Sequence, residues 1–265
     1  MINLKGGVGK TTLAVGMACE LAKNYDVLLV DIDPQFNATQ WIVPAETYLD
    51  WIENKKTVFD IFQPSEGDTL AARRRNAASL SNAVITVTPG GYDLDIVPST
   101  LDLIKLDHAP RGTENRLRVF LEPARQKYDY ILIDCPPTAS IFSYSAFLAS
   151  DAYLVPVKPD PLSVLGLPLL ERAMGDYEDR SGQGLMRLGL IFTQVRQTEA
   201  MRKTMAQVRR DYPDEVFNSH LVQTTGVAEA VDAGKPPQDF HKSRPKLMHD
   251  LEDICQEFIE RVDNL

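Results

Sequence analysis

A glycine-rich turn containing two lysines lies at the start of the chain and limits the fold more than any other feature. Glycines let a backbone curl so that successive N–H groups point at phosphate oxygens, and a helix starting near Lys10 adds the positive end of its dipole. Lys10 is then expected to contact the β and γ phosphates of a nucleotide, and the Thr11 hydroxyl to bind Mg²⁺. The turn reads Leu4, Lys5, Gly6, Gly7, Val8, Gly9, Lys10, Thr11 and Thr12.

This turn departs from the common phosphate-binding loop. The common pattern begins with glycine, and here that place holds Leu4 with Lys5 beside it. The second lysine makes this the deviant form of the loop. It indicates a nucleotide-dependent switch.

Two apolar runs end in aspartate. Residues 27–30 precede Asp31 and Asp33, and residues 130–133 precede Asp134. Short continuous apolar runs are typical of strands buried on both faces of a parallel sheet, and such sheets bind ligands at the carboxyl ends of their strands. Asp134 is expected to reach Mg²⁺ directly or through water, whereas Asp31 and Asp33 would also be common turn residues.

Three segments taken together match a known pattern. They are residues 5–12, residues 30–39 with Asp31, Asp33 and the sequence Asn37, Ala38, Thr39, and residues 133–137. They resemble the ParA family of deviant Walker-type (ParA/MinD) partition ATPases. The resemblance continues through 155–161 and 228–236, so it covers nearly the whole chain.

The resemblance implies a role for each motif residue. Lys5 would reach across a nucleotide-sandwich dimer to the partner's phosphates, and Asp33 would help to position the attacking water. The implied catalytic residues are Lys5, Lys10 and Asp33, the ATP-binding residues are Lys5, Gly6, Gly7, Val8, Gly9, Lys10, Thr11 and Thr12, and the Mg²⁺ ligands or their neighbours are Thr11, Asp33 and Asp134. The family hydrolyses ATP slowly, forms a homodimer while ATP is bound, and is stimulated by a centromere-binding or cargo adaptor protein.

Length and element order predict a single domain over residues 1–265. With 44% hydrophobic residues and no linker or internal repeat, the chain can bury one substantial core. We expect an α/β fold with a doubly wound, mostly parallel sheet flanked by helices, a helical or irregular insertion at about 40–90, and a closing helix. Only four residues precede the loop, so either the first strand is short or the chain starts upstream.

The sequence lacks the signatures of two alternatives, a GTPase and a membrane-binding relative. A GTPase needs a guanine-reading Asn-Lys-x-Asp, and the nearest match, residues 54–57, lacks the aspartate, so ATP is preferred. A membrane-binding relative would end in a basic amphipathic helix. Here the apolar stripe of residues 247–262 has an acidic opposite face, which anionic lipid would repel. We therefore expect that helix to pack on the core, and the protein to be cytoplasmic with no membrane partner.

Cysteines and histidines predict no metal cluster. The three cysteines lack metal-ligand spacing, and the four histidines are scattered. A nitrogenase iron protein shares the lysine-rich loop but needs cysteines for a cluster between its subunits, which Cys135 alone does not supply. Buried thiols are the expected state.

DNA binding would need a local basic patch, because the net charge of the chain is −9. The candidates follow Gln197 or lie just ahead of it: Arg196, Arg202, Lys203, Arg209 and Arg210. A solvated helix surface explains such a cluster as well. Residues 221–226 lack the arginines typical of the family, and the arginine run at 73–75 either compensates for them or belongs to an exposed helix end. Two functions remain open, a nucleoid-associated partition ATPase and a ParA-like switch that regulates a protein cargo without DNA.

Overall fold

The computed structural model describes residues 1–63, 80–106, 109–232, 235 and 245–264. The arginine run at 73–75 and part of the 228–236 motif lie outside these residues. The described strands are β1 (Val27–Asp31), β2 (Ile85–Val87), β3 (Leu94–Val97), β4 (Tyr130–Asp134), β5 (Ala152–Val157), β6 (Met186–Val195) and β7 (Val216–Val222). The described α-helices are α1 (Lys10–Leu21), α2 (Asn37–Ile42), α3 (Ala45–Glu53), α4 (Val58–Phe62), α5 (Leu80–Ala83), α6 (Asn115–Leu121), α7 (Ile141–Ala149), α8 (Pro161–Val164), α9 (Gly166–Ser181), α10 (Glu199–Asp211), α11 (Thr225–Asp232) and α12 (Pro245–Val262).

The strands form two sets whose orders are β2-β3-β1-β4 and β5-β6-β7. All pairings within the sets are parallel except that of β2 with β3. Helices connect the parallel strands and cover the sheet, which confirms the predicted doubly wound α/β fold. In β1 all five residues are buried, because a central strand of such a sheet is covered on both faces.

Residues 1–3 lie between the two strand sets. The Met1 nitrogen donates to the Ile133 carbonyl at 2.6 Å, and the Ile2 N–H donates to the Leu154 carbonyl at 3.0 Å. The Asn3 side chain then donates to the Pro156 carbonyl at 2.8 Å. These bonds tie β4 to β5 and place the following loop at the carboxyl ends of both strands.

Helix α1 is buried almost throughout, because the sheet lies on one side of it and α12 on another. The apolar stripe of α12 supplies the cover, with Leu247, Leu251, Ile254 and Phe258 all buried. The terminal helix thus packs on the core, as predicted. Among the described helices, none is long and apolar enough to span a membrane.

The predicted insertion at about 40–90 is helical over α3 and α4, but it ends differently from the expectation. Residues 85–87 form β2, an antiparallel edge strand whose Ile85 is paired with Ile96 of β3. A three-residue strand has no periodicity of its own, so only its partner defines it. The extent of a single domain over the whole chain stays a prediction.

Candidate nucleotide site

The glycine-rich turn forms an open loop at the start of α1. Gly7 and Gly9 have φ values of 72° and 81°, a left-handed conformation that side chains with a Cβ rarely adopt. Lys10 follows as the first residue of α1, and its Nζ donates to the Lys5 carbonyl at 3.2 Å. The ammonium is thereby held inside the curl of the loop, where phosphate oxygens would bind.

Two side chains from the carboxyl end of β6 hold the loop from outside. Thr193 Oγ1 donates to the Val8 carbonyl at 2.6 Å, and Gln194 Nε2 donates to the Gly7 carbonyl at 2.7 Å. Gln194 has a φ of 52°, a conformation that costs a non-glycine residue on the order of 1 kcal/mol. These contacts occupy the Gly7 and Val8 carbonyls and attach the loop to the carboxyl end of β6.

Asp134, at the end of β4, is 1% exposed, and neither carboxylate oxygen makes a hydrogen bond of good geometry within the described residues, although the Thr11 hydroxyl lies beside it. Burial raises the pKa of Asp134, and the nearby Thr11 and Lys10 oppose that rise. Burial likewise lowers the pKa of Lys10, while Asp134 and Asp33 oppose it. An unpartnered buried carboxylate beside a threonine hydroxyl is a donor set that suits Mg²⁺ and its water shell.

A chain of hydrogen bonds positions the segment after β1. Fully buried Asp31 accepts from the Thr39 N–H at 2.9 Å, the Thr39 hydroxyl at 2.8 Å and the Asp33 N–H at 3.1 Å. The Ser99 N–H donates to Thr39 Oγ1 at 2.9 Å, and the Ser99 hydroxyl donates to the Asp33 carbonyl at 2.7 Å. Burial, and then Asp134, raise the pKa of Asp31. Asp31 is therefore a structural carboxylate that fixes the backbone of Asp33.

Lys5 extends away from the position of Lys10. Its Nζ lies 3.3 Å from Asp160 Oδ1, and Lys158 Nζ lies 3.5 Å from Asp160 Oδ2. Asp160 also caps α8 by accepting from the Ser163 N–H at 2.8 Å. Burial alone would raise the pKa of Asp160, but the hydrogen bonds from Ser163 and Lys5 outweigh it and hold that pKa below its usual value.

The predicted DNA-binding residues lie on and just before α10, but they differ in environment. Arg209 is half-buried, donates to the Phe217 carbonyl at 2.9 Å and lies over the Phe192 ring. It anchors α10 to the sheet, so Arg209 is less accessible from solvent than Arg202. Arg202, Lys203 and Arg210 are exposed, with Lys203 paired to Glu199 at 2.7 Å. Arg196 is exposed and donates to the Gln223 side chain.

The fold brings Lys10, Thr11, Asp33 and Asp134 together at the carboxyl ends of the strands, as the motifs predict. Thr193, Gln194, Ser99 and Asp160 were not assigned a role from the sequence. For Thr193 and Gln194 the usable signal is a pair of polar residues directly after the apolar run of residues 190–192, near the carboxyl end of β6. The contact between Lys5 and Asp160 joins residues 155 positions apart, and no local pattern predicts it.

Comparison with known proteins agrees with this geometry. A family model described as an AAA domain matches residues 1–187. The chromosome partitioning protein ParA of Caulobacter vibrioides is 31% identical over 242 residues, covering 88% of this chain and 83% of that protein. The chain belongs to the ParA/MinD family of partition ATPases. The sporulation initiation inhibitor protein Soj of Bacillus subtilis is 29% identical over 236 residues, covering 88% of this chain and 87% of Soj.

A solved structure has the same fold. The structure of pNOB8 ParA superposes with a TM-score of 0.79 at 23% identity, covering 99% of this chain and 97% of that one. At this identity the likeness concerns the fold. It places the described loop, strands and helices of this family member in the P-loop NTPase architecture.

Proposed function

We propose that this chain is an ATP-dependent dimerising ATPase that acts in plasmid or chromosome segregation through ATP-gated, nonspecific DNA binding. The observation that carries the proposal is the separation of the two loop lysines. Lys10 lies inside the loop, whereas Lys5 is one-third exposed and is held by Asp160 at the loop's edge. A cation held beside its own phosphate site, and not within it, is available to a second nucleotide-bound copy.

The chain's own residues account for slow ATP hydrolysis. Loop N–H groups and Lys10 would hold the phosphates, and Mg²⁺, held by Thr11 and by Asp134 directly or through water, would neutralise charge on the phosphate oxygens. Asp33 is 6% exposed, and one of its carboxylate oxygens accepts the Gln35 N–H at 2.9 Å. Its carboxylate would orient the attacking water, since positioning and charge stabilisation dominate phosphoryl transfer.

Lys5→Ala tests dimerisation. We expect the parent to sediment as a dimer with a slowly hydrolysed ATP analogue and as a monomer with ADP. The variant should remain a monomer with both, because a lysine supplies the charge-assisted bonds to the partner's phosphates. Its affinity for the analogue, measured by calorimetry, should change by less than about tenfold, which corresponds to about 1.4 kcal/mol. A parent that is monomeric in every nucleotide state contradicts the proposal.

ATP-gated DNA binding would use the exposed cations of α10. Each patch occurs twice in a dimer, so contacts that are weak in one copy gain avidity through effective concentration. Arg202 and Arg210 are exposed, and replacing them removes no packing contact of the kind that Arg209 makes. Substitutions at Arg202 and Arg210 therefore test DNA contact without the loss of packing that a substitution at Arg209 would cause.

The expected result for Arg202→Glu with Arg210→Glu is a loss of at least about tenfold in affinity for random-sequence duplex DNA at low salt. The loss should be uniform across sequences, because phosphate contacts carry no base information. Fluorescence anisotropy with the ATP analogue measures it, and dimerisation should persist. Lys105→Glu with Arg118→Glu makes the same charge change at other exposed positions and should have a smaller effect. Parent-like affinity in the α10 variant excludes this surface.

A second candidate function is a ParA-like nucleotide switch that positions or regulates a protein cargo without direct DNA binding. Two observations favour it: the net charge is −9, and Arg209 donates to the Phe217 carbonyl of β7. Fewer basic side chains are therefore accessible to DNA than the sequence predicts. If the parent dimer binds no duplex DNA at low salt, this candidate replaces the first.

A further inference from the structure

An apolar stripe with no partner among the described residues runs along α8 and the start of α9. Leu162, Leu165 and Leu169 are 69%, 66% and 62% exposed. They are spaced three and four residues apart, and Leu165 joins the two helices with helical dihedral angles, so all three lie on one face. Single exposed leucines are common on soluble proteins, but a contiguous row of them marks an interaction surface.

The same helical segment already has a core face. Leu167 and Leu170 are buried against the rest of the protein. The stripe is therefore not a packing face that the fold has failed to cover. It is a second apolar face, and the prolines Pro161 and Pro168, both exposed, extend its surface.

The stripe borders the lysine on which the proposed function depends. Asp160, which pairs with Lys5, lies two residues before Leu162 and caps the same helix. Gly166 lies against the Asn3 side chain, whose Oδ1 accepts the Lys5 N–H at 2.9 Å. If Lys5 faces the nucleotide of a second copy, the surface continuous with Lys5 faces that copy as well.

Net charge makes a short-range attraction between two copies necessary. Two copies with a net charge of −9 each repel one another at long range, so a stable dimer needs attraction at short range. Lys5 and the bound nucleotide of the partner provide an electrostatic part, and apolar burial provides the rest. A two-fold dimer contains two copies of this patch, so six leucines contribute apolar burial to it.

We propose that Leu162, Leu165 and Leu169 form the apolar contact with a second copy of this chain in the ATP-bound dimer. This rests on the proposed function, because it takes nucleotide-dependent dimerisation as the event that covers the stripe. On this proposal, the three leucines are exposed in the monomer and are buried when the dimer forms.

The test is the full chain with Leu162→Gln, Leu165→Gln and Leu169→Gln together. Glutamine is polar but favours helix nearly as much as leucine, so folding should survive, as circular dichroism will check. With the slowly hydrolysed analogue, the dimer dissociation constant should rise by about 100-fold or more, while analogue affinity measured at concentrations where both proteins are monomeric should stay at the parent value. Val119→Gln is the matched control, since Val119 is 61% exposed on α6, which packs against α4 and α7.

The outcomes separate the two proposals. A dimeric parent with a weakened leucine variant and an unaffected Val119→Gln supports the stripe as the dimer contact. A variant that dimerises as tightly as the parent overturns it and leaves the stripe to an adaptor protein. A parent that never dimerises overturns the proposed function, and this inference with it.

A second variant gives a positive signal. Leu165→Cys should be crosslinked between copies by a short bismaleimide with the analogue and not with ADP. Val119→Cys should not be crosslinked under either condition, and the parent's own cysteines, Cys19, Cys135 and Cys255, are buried. Equal crosslinking of Leu165→Cys with ADP and with the analogue would contradict the proposal even if the glutamine variant failed to fold.

Discussion

Replacing Lys10 by alanine is expected to abolish ATP binding, with a loss of at least about 1,000-fold in affinity, or about 4 kcal/mol. Lys10 is 6% exposed, and its ammonium is already placed inside the loop by its bond to the Lys5 carbonyl. Without it, the phosphates would face the carboxylates of Asp134 and Asp33 with no compensating side-chain charge. Calorimetric titration with ATP and Mg²⁺ measures the effect directly.

The control for Lys10→Ala is Lys105→Ala, which removes the same charge at an exposed position. Thermal unfolding without nucleotide separates loss of binding from loss of fold. If Lys10→Ala retains the parent's affinity, the loop does not bind phosphate in the way that the structure indicates.

Asp33→Ala is expected to lower ATP turnover by about 100-fold or more and to leave an ATP-bound dimer that persists. The carboxylate is buried at the end of the segment fixed by Asp31, Thr39 and Ser99, so its loss removes a positioned group without removing a loop contact. Phosphate release measures turnover, and sedimentation with ATP itself measures the dimer.

An exposed aspartate provides the comparison for Asp33. Asp176→Ala, on α9, should hydrolyse ATP at the parent rate. Parent-like turnover in Asp33→Ala would remove the assigned role. Loss of ATP binding in that variant would instead show that Asp33 holds the nucleotide.

Local patterns were sufficient for the centre of the site. An apolar run that ends in aspartate predicts the carboxyl end of a strand without knowledge of the neighbouring strands. The sequence therefore places Asp31, Asp33 and Asp134 at the carboxyl-end edge of the sheet, where the structure has them. The glycines and Lys10 likewise act through backbone conformation and a helix start, which are properties of neighbouring residues.

Contacts between distant parts of the chain account for what the sequence did not predict. Packing of α10 on the sheet brings the half-buried Arg209 to the Phe217 carbonyl, which a cluster of basic residues in the sequence does not predict. Asp160 pairs with Lys5, and Thr193 contacts Val8, across 155 and 185 positions. Such contacts depend on which strands become neighbours, and a single sequence carries that information only weakly.

The two hydrogen bonds from β6 to the glycine-rich loop have a consequence for the rate of nucleotide binding. A peptide flip at Gly7 or Val8 would break the hydrogen bond from Gln194 or Thr193. These bonds therefore hold the glycine-rich loop in one conformation before a nucleotide binds. Capture should then be limited by diffusion and desolvation, with little delay for ordering the loop. After loss of a bound nucleotide, the loop would keep the same conformation, and the next nucleotide would bind without refolding any part of it.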